Sequence, residues 1–81
     1  TIDGMSINSL MVVTVYSSPN PGADSFVKVG DKVSEGDVLC IIEAMKMMNE
    51  VKSDYNGVIK EILISDAEPV EYGEALFIIE E

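Results

Sequence analysis

The sequence predicts an all-β domain, a sandwich or barrel of short strands, and three observations predict it. Apolar residues alternate or gather in short runs of Val, Ile and Leu, bounded every several residues by Gly, Pro, Asn or Asp. The 81 residues fit one small domain, spanning 1–81, with no room for a second. The second half of the chain also repeats the pattern of the first.

Residues 9–16 are rich in β-formers. Residues 26–29 form a short apolar run followed by the turn pair Gly30-Asp31. Residues 38–42, Val-Leu-Cys-Ile-Ile, read as a buried strand, and residues 76–79 as another. In the strand-like stretch 58–64, Val58, Lys60, Ile62 and Ile64 share one face, and Ile59, Glu61 and Leu63 the other. Each face holds one charge among apolar residues, so alternation does not say which side meets solvent. Asn56-Gly57 is the strongest short hairpin signal, because both residues tolerate positive φ.

The repeat aligns Val33-Ser34-Glu35-Gly36-Asp37-Val38-Leu39-Cys40-Ile41-Ile42-Glu43 with Val70-Glu71-Tyr72-Gly73-Glu74-Ala75-Leu76-Phe77-Ile78-Ile79-Glu80. The Gly, the acid after it, the Leu, both Ile and the closing Glu coincide. In each half a Gly turn feeds a buried strand that ends in Glu. Upstream, Val13-Thr14-Val15 matches Gly57-Val58-Ile59 as the opening strand. The first half then holds about seven more residues, within 18–25, Ser-Pro-Asn-Pro-Gly-Ala-Asp-Ser. That composition makes a protruding loop. It is either a tolerated surface insertion or a finger placed near an active group.

Between the halves lies Glu43-Ala44-Met45-Lys46-Met47-Met48-Asn49-Glu50. Local propensity favours helix there. The segment is too short for an isolated helix and follows a buried strand directly. A hairpin joining the halves is expected instead, with Lys46 at its tip. An exposed lysine is ordinarily an ammonium and a poor nucleophile, and no neighbouring cations suggest otherwise. Met45 and Met47 beside it are apolar side chains on an exposed turn, which points to contact with a partner. At least one methionine of the segment, Met48 foremost, is expected to fold back onto the core.

This octet resembles the attachment sequence of biotin-dependent carboxylases, Ala-Met-Lys-Met, and the resemblance runs through essentially the whole chain. It implies the biotinyl/lipoyl fold: a flattened barrel of two four-stranded antiparallel sheets with pseudo-twofold symmetry, a hammerhead. Biotin would be joined through an amide to Lys46 by a biotin protein ligase, which activates biotin with ATP. The domain would carry a carboxyl group from a biotin carboxylase to a carboxyltransferase and hold no catalytic residue of its own.

The stretch 16–26 is similar to the thumb of the acetyl-CoA carboxylase branch of that family. This implies acetyl-CoA as final acceptor, a bacterial cytoplasmic or plastid stromal setting, and Ser18 near the ureido ring of biotin. Where the family reads Ser-Pro-Met-Val-Gly, this chain has Ser9-Leu10-Met11-Val12-Val13, so its entry to the thumb strand is expected to differ. The resemblance also implies that the domain belongs to a longer chain, as its C-terminal part. Lipoyl carriers share the fold but usually have Asp-Lys-Ala at the tip, and they are the nearest rival. A small unmodified binding module is a second.

Composition bounds the partners and the chemistry. Fifteen acids against five bases give a formal net charge of −10, which argues against nucleic acid and anionic membranes as partners. Solubility is a sufficient reason for the acid; steering toward basic partners is another. With no His, the commonest general base and metal ligand are both missing, and no metal site is expected. The lone Cys40 cannot form an internal disulfide and reads as core. Two Phe and no Trp leave no aromatic pocket for a large ligand. The isolated domain is expected to be monomeric.

Overall fold

The computed structural model describes residues 4–9, 13–20 and 22–81. Among them are eight strands and no helix: β1 (Met5–Asn8), β2 (Val13–Tyr16), β3 (Lys32–Val33), β4 (Val38–Ala44), β5 (Met47–Lys52), β6 (Gly57–Ile62), β7 (Glu68–Val70) and β8 (Ala75–Glu80). They form two four-stranded antiparallel sheets, ordered β1-β8-β6-β3 and β5-β4-β2-β7. Advancing each strand label of the first sheet by one half-domain yields the second. The expected hammerhead is therefore present, and its twofold exchanges the sheets.

The registers carry the same symmetry. Thr14 pairs with Glu43 and Val15 with Ile42, as Val58 pairs with Glu80 and Ile59 with Ile79. Val13 faces Val70 as Gly57 faces Val33. Inward side chains follow: Val15, Leu39, Cys40, Ile59, Val70, Leu76, Phe77 and Ile79 are almost wholly buried between the sheets. Their removal from water is the main stabilising term for so small a domain.

The repeated Gly and acid build matching turns. Gly36 and Gly73 adopt φ of 95° and 82°, conformations that favour glycine. The Asp37 carboxylate accepts the Ser34 N–H at 2.9 Å, and the Glu74 carboxylate accepts the Glu71 N–H at 3.1 Å. Each turn then exchanges backbone hydrogen bonds with a buried serine. Ser53 donates its N–H to Asp37 O (2.8 Å) and accepts from Gly36 (2.8 Å); Ser9 donates to Glu74 O (2.9 Å) and accepts from Gly73 (2.7 Å).

Three expectations change. Asn56-Gly57 forms no hairpin, because β5 and β6 lie in different sheets. Asn56 Oδ1 instead accepts the Glu35 N–H at 2.8 Å. Gly57 serves close approach: a Cβ there would overlap the Glu80 carbonyl oxygen. Residues 26–29 form no strand; Val27 is buried, and contact with β6 begins at the expected Gly30-Asp31 turn, where Gly30 donates to Ile59 O at 2.8 Å and Asp31 O accepts the Ile59 N–H at 2.9 Å, before the ladder proper starts at Lys32. In β6, a bulge between Ile59 and Glu61 shifts the alternation. Ile59 points inward before it, whereas Ile62 and Ile64 pack on the core after it, which explains the ambiguous faces. The altered segment 10–12 lies outside the described residues; Val13 is buried at the start of β2.

Gly57→Ala should lower stability by about 1–3 kcal/mol in urea unfolding, because rigid backbone must shift to admit the methyl.

Candidate functional site

Strands β4 and β5 form a hairpin whose last pair is Ala44–Met47, leaving Met45 and Lys46 as a two-residue turn. Their φ values are 52° and 66°. Positive φ at both central residues is the type I′ pattern, whose twist suits a hairpin and which normally selects Asn-Gly. For residues with a Cβ this conformation costs about 1–2 kcal/mol each. Met-Lys is thus a poor choice for the turn, and its identity answers to something other than stability.

Lys46 is exposed, and among the described residues its Nζ makes no hydrogen bond or ion pair. Met45 is 95% exposed, Met47 65% and Met48 57%. Met48 therefore does not fold back onto the core as expected. It lies on β5, an edge strand, opposite Glu43, and so takes part in the surface. The tip is an amine flanked by three flexible apolar side chains.

Below the tip, the Tyr16 hydroxyl donates to Glu43 Oε1 at 2.9 Å, bracing β4 against β2. The symmetry mate of this contact is the Lys60–Glu80 ion pair at 3.1 Å. The hydrogen bond to Glu43, then that carboxylate's charge, with burial and the Asp66 charge adding to it, raises the Tyr16 phenol above the usual tyrosine range.

The loop that interrupts the first half leaves β2 at Ser17 and returns at Phe26, whose N–H donates to Ser17 O at 2.9 Å. Phe26 packs against the core, while Pro19, Asn20 and residues 22–25 are exposed. Pro21 lies outside the described residues. Ser18 Oγ donates to Asn20 O at 3.1 Å and keeps acceptor capacity. A groove of about 340 Å³ runs beside the loop, lined by Tyr16, Ser18, Pro19, Asn20, Met48, Asp66 and Ala67. The fold thus brings Ser18 and Met48 to one groove. Met45, Lys46 and Met47 stand at the turn above it and do not line it.

Tyr16, Glu43 and Asp66 were not singled out from the sequence as site residues. Glu43 carried a signal, as the closing acid of the repeat. Tyr16 and Asp66 carried none, since their contacts span 27 and 49 residues. Cys40 is buried in the core, as its apolar run indicated, and burial pushes its thiol up to about 12.

The biotin/lipoyl family described as "Biotin-requiring enzyme" matches residues 6–79. This chain belongs to that family of biotin- and lipoyl-attachment domains. The biotin carboxyl carrier protein of acetyl-CoA carboxylase from Haemophilus influenzae is 52% identical over 79 residues, covering 98% of this chain and 51% of its own. The chloroplastic carrier of Glycine max is 54% identical over 74 residues, covering 91% of this chain and 28% of its own. This chain therefore spans about half of the first of these relatives and under a third of the second. Among solved structures, the Kluyveromyces lactis urea carboxylase aligns with a TM-score of 0.77 and 30% identity, over 99% of this chain and 6% of the enzyme. A single-chain long-chain acyl-CoA carboxylase, at 19% identity, shares the fold with a TM-score of 0.77.

Two measurements check the site's electrostatics. The folded-state pKa of Tyr16 is raised, so its contribution is complete below the ordinary tyrosine pKa of about 10 and fades as pH rises through the folded value. Tyr16→Phe should thus be less stable than the parent at neutral pH, with the gap closing in strong alkali. Cys40 should resist iodoacetamide in the native protein and react readily in urea.

Proposed function

We propose that this chain is the biotin-bearing carrier domain of an acetyl-CoA carboxylase, with Lys46 as the attachment residue. The observation that carries the reading is the exposed, unpaired amine held at a two-residue turn between Met45 and Met47, in a chain about half identical to named carboxyl carriers. An amide-linked cofactor needs an amine free of ion pairs and a base that holds it away from the body of the protein. Lys46 meets both conditions. A lipoyl carrier would share the fold, but the tip residues and the named relatives favour biotin.

Bound biotin supplies a ureido nitrogen that can take up and release a carboxyl group. The protein's own residues supply position. A biotin protein ligase would acylate Lys46 Nζ, which loses its proton and its charge. Met45 and Met47 offer a compliant apolar contact to the ligase, to a biotin carboxylase and to a carboxyltransferase. The braced hairpin keeps the long arm anchored at a fixed point, so each transfer becomes close to intramolecular. Ser18, at the groove beside the tip, retains an acceptor for a ureido N–H.

Co-expression with a biotin protein ligase should add one biotin at Lys46 and none at Lys28, Lys32, Lys52 or Lys60, as read by intact mass and peptide mapping. Formal net charge should pass from −10 to −11, visible as a more acidic focusing position. Lys46→Arg should remain unmodified. A chain that takes lipoate, or no group, overturns the reading.

A further inference from the structure

We infer that Asp66 is a positioning residue that latches the inserted loop of the first half to the second half, and so fixes the groove beside Lys46. The argument begins with a register. Strands β2 and β7 pair as Val13–Val70, Thr14–Pro69 and Val15–Glu68. The next rungs would be Tyr16–Ala67 and Ser17–Asp66, yet the strand pairing stops at Val15–Glu68. Ala67 turns to a φ of 59°, a left-handed conformation unusual for alanine, and takes the backbone out of the ladder. The Asp66 side chain replaces the missing rung. Its Oδ1 accepts the Ser17 N–H at 2.9 Å and the Ser17 hydroxyl at 3.2 Å.

Ser17 is the residue at which the loop departs. Its carbonyl accepts the Phe26 N–H, so Ser17 closes the loop's base while Asp66 holds it from the other half. The other hydrogen bonds of the loop, Ser18 to Asn20 and Ala23 to Asn20, are internal. Among the described residues, the Asp66 pair is the one hydrogen-bonded link from this loop to the second half of the chain. Asp66 also lines the groove, with Met48 on β5 and Ser18, Pro19 and Asn20 of the loop. Freeing Ser17 would let the loop wall move independently of the β5 wall, which leads directly to the Lys46 turn.

This inference rests on the carrier reading for its functional consequence and on the structure alone for the latch. Amide hydrogen exchange in the unmodified protein tests the latch. Asp66→Ala should speed exchange at Ser17 and Phe26 by about tenfold, the effect of one lost charge-assisted hydrogen bond, and leave β4 and β8 unchanged. Asp66→Asn keeps an acceptor oxygen without the charge and should lie between the parent and Asp66→Ala, nearer the parent. Unchanged exchange at Ser17 in Asp66→Ala, or an Asn variant as fast as the Ala variant, overturns the latch.

In the biotin-loaded protein, labelling of Lys46 should be the same in both variants. Carboxyl transfer should fall in Asp66→Ala and recover in Asp66→Asn. Equal transfer in the Ala variant and the parent overturns the positioning role. Failure of Lys46 to accept biotin in the parent overturns the carrier reading and leaves the exchange result standing.

Discussion

The paired backbone hydrogen bonds between Ser53 and the Gly36-Asp37 turn are the constraint on which the lysine hairpin depends. They sit where β5 ends and the chain crosses to the other sheet, so they fix the base of the hairpin relative to both layers. Ser53 is buried, and its hydroxyl donates to Tyr55 O at 2.6 Å and accepts from the Tyr55 N–H at 3.1 Å. A buried polar group left without such partners costs about 1–3 kcal/mol. With the base held there, and the upper part braced by Tyr16 and Glu43, the hairpin can hold two residues with side chains in left-handed conformations at its tip. Lys46 is displayed by a stiff support.

The acids have a second employment beyond solubility. Asp31, Asp37, Asp66 and Glu74 each accept a backbone N–H at a turn or loop base. Among the described residues there are two ion pairs, both between partly exposed side chains, and surface pairs of this kind contribute little. Short range therefore dominates the electrostatics that shape this fold. Local acceptors set the turns, and the surplus negative charge acts mainly on whatever approaches from outside.

The repeat made the architecture legible, because its turns need Gly and an acid at fixed spacing and its strands need paired Ile. Edge strands were harder: β1, β3 and β7 hold four, two and three residues, and their pairing is decided by the neighbours they meet. Asn56-Gly57 misled because one dipeptide has two physical uses, a primed turn or a close backbone approach, and only the Glu80 carbonyl reveals which. The mixed faces of 58–64 hid a bulge, which no alternation rule registers. At the site, Met45, Lys46 and Met47 were readable from chemistry beside a turn. Met48 was misjudged because an edge strand need not bury every apolar side chain. Asp66 was invisible, since its role exists only once β7 lies beside β2.

The twofold also assigns a partner position to the lysine turn. β4 and β5 correspond to β8 and β1, so the place matching Met45-Lys46 lies between the end of β8 at Glu80 and the start of β1 at Met5. The strand ends that a two-residue turn joins in one sheet thus have counterparts in the other, and the Lys46 amine marks only one of the two symmetry-related places.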